Sequence, residues 1–119
     1  MRFAILPDFK IKSKVWLESE QGRVFGDGPS MLLEYVEKLG SLRQAAKEME
    51  MSYAQALEII NMIEENLGYT VVARQVGGSS GGGSYLTKDG KELLEKYKAF
   101  RTELTQEMEK SYNKYFGGE

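Results

Sequence analysis

The chain of 119 residues contains no cysteine and no histidine. Without thiols or imidazoles it has no disulfide framework, no Cys/His zinc site, no cysteine nucleophile and no histidine-based acid–base or triad chemistry. Long apolar runs are missing as well. Near the N-terminus the longest is Phe3-Ala4-Ile5-Leu6, ended at once by Pro7 and Asp8. A signal peptide needs an apolar core of about 7–15 residues and a spanning helix about 20. The expectation is therefore a cytoplasmic protein without a membrane segment, and the lack of cysteine fits that compartment. Nor is there an excess of positive charge: 16 basic and 18 acidic residues leave −2. Duplex DNA presents about one charge per 1.7 Å of axis, so this total argues mildly against nucleic acid. The deficit is also localised, with residues 1–23 at +2, 24–98 at −3 and 99–119 at −1.

What is present suits one globular domain: 41% hydrophobic and 29% charged residues. Residues 10–25 read as a β-hairpin. Ile11, Ser13, Val15 and Leu17 alternate with Lys10, Lys12, Lys14 and Trp16, the segment 18–22 turns, and Arg23-Val24-Phe25 returns. Lys12 and Lys14 are charges of the kind an edge strand carries into solvent; a contact with phosphate is the alternative. Asp27-Gly28-Pro29 then opens a helix with a capping-type residue followed by proline. Its apolar set is Met31, Leu32, Leu33, Val36 and Leu39, and Gly40 stops it. Ser41 can cap a second helix whose inner face is Leu42, Ala45, Ala46 and Met49. Ser52 can cap a third with core face Ala56, Ile60, Ile63 and Leu67, ended by Gly68.

The β-branched run at 70–74, a glycine/serine loop from Gln75 to Ser84 and a short return at Tyr85-Leu86 complete a helix–helix–turn–helix–strand–loop–strand order. That is the order of a winged helix-turn-helix domain, mainly α with a small β component. The predicted organisation is a single winged-helix domain over 1–119, with a hairpin at 10–25, three helices at 29–67, a wing at 70–86 and a long helix at 88–115. In the last helix Leu93, Tyr97, Phe100, Leu104, Met108 and Tyr115 form an apolar stripe, with Tyr112 one step off register. Its eleven-residue repeat (Leu93, Leu104, Tyr115) is that of a nearly straight rod. Such a rod, of about 42 Å, is too long for a three-helix body to cover. A second copy of the chain is the simplest partner for the stripe; the alternative is a helix folded back on its own domain as far as Phe100.

The glycine loop admits three readings. A phosphate-binding P-loop needs lysine where Gly83 stands and a helix directly after it, so that reading is set aside. A flexible linker suits the composition. A wing, whose backbone amides and hydroxyls approach phosphate, is favoured by the flanking Arg74 and Lys88. Acid–base chemistry has little material. Glu64-Glu65 and Asp89/Glu92 read as solvated faces, Tyr53, Tyr69 and Tyr85 as packing residues, and no enzyme, metal or cofactor is expected.

In a helix-turn-helix the first two turns of the recognition helix reach the major groove. With the core face removed, Ser52, Tyr53, Ala54, Gln55, Glu58, Asn61 and Met62 remain as outward candidates. Gln55 can pair bidentately with adenine, Ser52 and Tyr53 can bond phosphate, Ala54 can touch a thymine methyl, and Glu58 would repel phosphate. No lysine or arginine occurs between Lys47 and Arg74. A winged helix that has kept its scaffold and serves as a protein-interaction module, with weak or no DNA affinity, is therefore the alternative to a double-stranded DNA binder.

The residues Gly40 to Lys47, Met51-Ser52-Tyr53, Ile60-Asn61, and the wing pattern Gly77-Gly78…Gly81-Gly82-Gly83…Leu86-Thr87…Gly90 resemble the DNA-binding domain of the ModE family of molybdate-responsive transcriptional regulators. The similarity spans about residues 24–110. More distantly, the helix pattern ending Asn66-Leu67-Gly68 and followed by Val72-Ala73-Arg74 is similar to LysR-type regulators. The resemblance implies a winged helix that dimerises through N-terminal and long-helix contacts and binds a palindromic operator. DNA contacts would fall to Ser41, Arg43, Lys47, Ser52, Tyr53, Ala54, Gln55, Glu58, Arg74, Ser79, Ser80, Ser84 and Lys88, and dimerisation to Leu93, Tyr97, Phe100, Leu104, Met108, Tyr112 and Tyr115. The family's molybdate-binding domains have no counterpart in these residues, so no molybdate site is expected here. Two family lysines are also replaced, by Ala54 and by Ser79-Ser80. Each lost phosphate contact lowers the salt slope by about one, which predicts weak, salt-sensitive binding unless Arg43, Lys47, Arg74 and Lys88 compensate.

Overall fold

The computed structural model describes residues 9–75 and 83–117, so Ser79 and Ser80 at the expected wing tip lie outside the described residues. Strands β1 (Trp16–Ser19) and β2 (Gly22–Gly26) form an antiparallel hairpin with a register shift between Leu17 and Glu18. Three helices follow: α1 (Asp27–Leu39), α2 (Leu42–Glu48) and α3 (Tyr53–Leu67). Strands β3 (Val72–Gln75) and β4 (Gly83–Leu86) then pair antiparallel, and α4 (Lys88–Phe116) closes the chain. The element order is the winged-helix order expected from the sequence.

Two boundaries differ from expectation. The hairpin begins at Trp16, because residues 10–15 pair in no strand and only Val15 of them packs on the core. Helix α1 begins at Asp27 with Gly26 at the N-cap position. Asp27 does not cap: its Oδ2 accepts from the Val15 amide at 3.2 Å, while its own amide donates to the Val15 carbonyl at 3.1 Å. These bonds dock the hairpin base on α1. Gly26 is fixed by the same approach, since a Cβ there would stand 2.3 Å from the Val15 carbonyl oxygen.

The core sits where α1, α2 and α3 converge under β4 and the first turns of α4. Leu32, Leu33, Val36, Ala45, Ala56 and Ile63 are fully buried in it. Burying each of its larger aliphatic side chains contributes about 1.5–3 kcal/mol. Met31, Leu39 and Leu67, expected in the core, are exposed. Met31 and Leu39 lie at the margins of the apolar arc of α1. Leu67, although in line with Ala56, Ile60 and Ile63, is the last residue of α3, where the small three-helix body no longer covers it.

Both cap serines act as expected. The Gln44 amide donates to Ser41 Oγ and the Gln55 amide to Ser52 Oγ. Gly40 and Gly68 take the left-handed conformation after α1 and α3. The α2–α3 turn is a Schellman motif: the Met51 amide reaches the Ala46 carbonyl and the Glu50 amide the Lys47 carbonyl. Glu50 occupies its left-handed position at φ 55°, where glycine is usual.

Helix α4 divides the apolar stripe read from the sequence. Leu94 and Tyr97 are buried, with the Tyr97 ring edge-on to Phe25 at 5.2 Å, and Leu93 packs against the same core. Tyr97 therefore packs within the protomer's own core, and Leu93 is half-buried against it. Beyond Phe100 the helix meets the extended N-terminal segment. Arg101 Nη2 donates to the carbonyl and hydroxyl oxygens of Ser13, and Phe9 to Lys12 share a cavity with Glu109, Tyr112 and Asn113. Phe100, Tyr115 and Phe116 remain exposed. No described helix is long and apolar enough to cross a membrane.

Candidate nucleic-acid interface

The outward end of α3 is set by the turn before it. The Schellman motif and the Ser52 cap leave Ser52, Ala54, Gln55, Glu58 and Asn61 exposed, while Tyr53 and Met62 are half-buried. The Ser52 hydroxyl accepts the helix bond through a lone pair and keeps its own O–H free to donate. Unpaired amides and the helix dipole at this end favour an anion.

Tyr53 is half-buried because two arginines enclose it. The Arg43 guanidinium lies 4.2 Å from the ring centroid, and that of Arg74, from β3, lies at 5.8 Å. Arg74 Nη2 also donates to the Tyr53 hydroxyl. Each stack contributes about 0.5–1 kcal/mol at an exposed site. It also holds a planar, permanently charged fork beside the N-terminus of α3, with N–H donors left over for a phosphate. Sequence reading singled out all three residues but had no means of joining Arg43 on α2 to Arg74, 31 positions later.

The wing is anchored at its base. The Ser84 amide donates to the Gly40 carbonyl at 2.9 Å, so the Ser84 backbone ties β4 to the end of α1. Glu64 Oε2 accepts from the Val71 and Val72 amides at 2.8 and 3.2 Å. The reading of Glu64 as a solvated carboxylate is thus corrected: it positions β3, and hence Arg74, against α3. Thr87 donates to the Thr70 carbonyl and accepts from the Gly90 amide, closing the wing onto α4. Lys47 and Lys88 are exposed, and Ser41, which accepts its cap bond as Ser52 does, is half-buried.

The hairpin borders the other flank of α3, where Gln55, Glu58, Ile59 and Met62 face Lys14, Trp16 and Arg23 across a cleft of about 630 Å³. Asn66 Nδ2 donates to Gln21 Oε1 at 3.2 Å and so pins the hairpin tip to the far end of α3. Among the described residues no group of three or more acidic side chains is placed to hold a metal ion.

A capped recognition helix, a Schellman turn before it and a two-stranded wing after it define a winged helix-turn-helix protein. The ArgP structure from Mycobacterium tuberculosis shares this fold, with a TM-score of 0.53 at 22% identity over 71% of this chain and 30% of that one. The chain is homologous to the ModE transcriptional regulators. It is 32% identical over 91 residues to the molybdenum transport protein ModE of Azotobacter vinelandii, covering 76% of this chain and 34% of that protein. It is 35% identical over 78 residues to the DNA-binding transcriptional dual regulator ModE of Escherichia coli, covering 65% and 30%. The molybdenum-pterin-binding protein MopB of Rhodobacter capsulatus is 34% identical over 85 residues, covering 69% and 32%. The chain spans about a third of the length of these relatives. No family model matches it.

Proposed function

We propose that the chain is a sequence-specific DNA-binding transcriptional regulator acting in the cytoplasm. As a homodimer it reads a two-fold operator with α3 and grips phosphates with the wing. The observation that carries this reading is the Arg43–Tyr53–Arg74 cluster at the capped N-terminus of α3. It supplies two oriented guanidinium forks where a recognition helix meets the backbone. Gln55, exposed on the same first turn of α3, reads the base edge. The ModE relative named as a DNA-binding regulator supports the same assignment.

The exposed Glu58, and the lack of any lysine or arginine between Lys47 and Arg74, favour a second reading as a protein-docking module. One experiment separates them. Duplexes selected by the protein from a genomic library are titrated by fluorescence anisotropy from about 50 to 200 mM salt, a range over which phosphate-mediated binding falls steeply. The regulator reading expects enrichment of a palindrome and a steep salt slope. Failure to retain any duplex at the low-salt end would overturn it.

A further inference from the structure

The positive charge that α3 lacks stands beside it on another element. Residues 10–23 hold Lys10, Lys12, Lys14 and Arg23 against Glu18 and Glu20, a net of +2, with Glu18 opposite Arg23 in the strand register. The fold brings Lys14 and Arg23 to the cleft whose opposite wall is Gln55, Glu58, Ile59 and Met62. Arg23 is not a loose surface cation. Its guanidinium lies 3.9 Å from the centroid of the Trp16 ring, whose Nε1 donates to Glu18 at 2.8 Å, so ring and guanidinium hold each other in place. The Gln21–Asn66 bond ties the hairpin tip to the far end of α3.

Resting on the reading of the chain as a duplex binder, we propose that the β1–β2 hairpin is a second phosphate grip, with Lys14 and Arg23 holding the DNA strand on the flank of α3 opposite the wing. A major groove is about 12 Å wide and a helix with its side chains about 10–12 Å across, so the two bordering strands run along the flanks of the inserted helix. Tyr53 and Gln55 are two residues apart, about 200° around the helix axis. The Arg43–Tyr53–Arg74 cluster therefore addresses one strand and the Lys14–Arg23 pair the other. Both hairpin cations are exposed, and Glu58 shares their cleft. That arrangement suits a polyanion passing along the rim and repels a small anion entering the cleft. Phosphates on this side take the place of the contacts that Ala54 cannot make.

The test uses the full chain and a duplex it selects, with anisotropy read at several salt concentrations. Lys14→Ala and Arg23→Gln each weaken binding to all sequences about 3- to 10-fold and lower the salt slope by about one per protomer, with unchanged circular dichroism melts. Trp16 is the single tryptophan, so its emission reports on the hairpin directly. It changes on duplex addition with the anisotropy midpoint. Wild-type affinity and slope in both variants, with Trp16 emission indifferent to saturating duplex while Arg74→Ala weakens binding, overturn the hairpin grip and leave the DNA reading standing. No binding by the wild-type chain at about 50 mM salt overturns both.

Discussion

The Tyr97 hydroxyl donates a 2.5 Å hydrogen bond to Oδ1 of Asp27, 70 positions earlier in the chain. Arg101, one turn further along α4, donates to the same carboxylate from Nε at 3.0 Å and Nη2 at 3.2 Å, and Nη2 also reaches Ser13. One carboxylate thus joins the hairpin base, the start of α1 and the middle of α4.

Burial alone would raise the Asp27 carboxyl, but the bonds from Arg101, Tyr97 and the Val15 amide, with the Arg101 charge, outweigh it and hold the group below 3.8. The folded value lies below the unfolded one, so the stabilisation is present above about pH 4 and is lost as pH falls through the folded value. Asp27→Asn should cost about 1–2 kcal/mol at neutral pH, since the pair is partly open to water. Denaturant melts at pH 7 and pH 3 check this: the gap between variant and wild type should narrow in acid. A gap independent of pH would remove the carboxylate from this role.

Glu50 holds the left-handed position of the Schellman turn. Glu50→Gly should raise stability by about 0.5–1 kcal/mol, because a Cβ is disfavoured there and no bond of the turn depends on it. Thermal unfolding gives the answer, and a lower midpoint would contradict it.

Gly90 lies in the first turn of α4 against the backbone of Val71, where a Cβ would come within 2.2 Å of the carbonyl oxygen. Backbone cannot yield as a side-chain tip does, so Gly90→Ala should cost about 1–3 kcal/mol through displacement of the wing base. Amide exchange should quicken in β3 and β4 before it does in α1.

Gln55 and Arg74 should separate specificity from affinity. Gln55→Ala should relax base preference at one position of each half-site by about 1–3 kcal/mol, at an unchanged salt slope. Arg74→Ala should weaken all duplexes alike and lower the slope. Competition titrations with single-base operator variants distinguish the two.

Phe100 is exposed on α4, tilted against Tyr97 at 6.0 Å. As a dimer contact it should tolerate Phe100→Glu in the folded protomer but not in the pair. Sedimentation is expected to show a monomer, with binding to a palindrome falling to that of one half-site. A dimeric variant would move the interface elsewhere.

The helices were legible because local rules produce them. Ser41, Ser52 and Thr87 cap, Gly40 and Gly68 stop, and Ala56, Ile60 and Ile63 recur at helical spacing. Two readings failed for one common reason. Asp27 looked like a cap and Glu64 like a solvated acid, yet each has partners 7 to 74 positions away. No local pattern carries those separations. Segment 10–15 alternates like a strand, but no partner strand stands beside it.

By itself the sequence determined the kind of chemistry open to this protein and the order of its elements. Lacking cysteine and histidine, it is short of catalytic groups, and its caps, glycines and apolar spacing place helix, turn and wing in succession. It also located a charge deficit in the segment expected to meet DNA. Only the tertiary structure decided what stands around that deficit. It gathers Arg43 and Arg74 on Tyr53 at one flank of α3 and sets Arg23 on Trp16 at the other. Charge along a chain is a sum, whereas charge at a surface depends on which distant segments packing brings together.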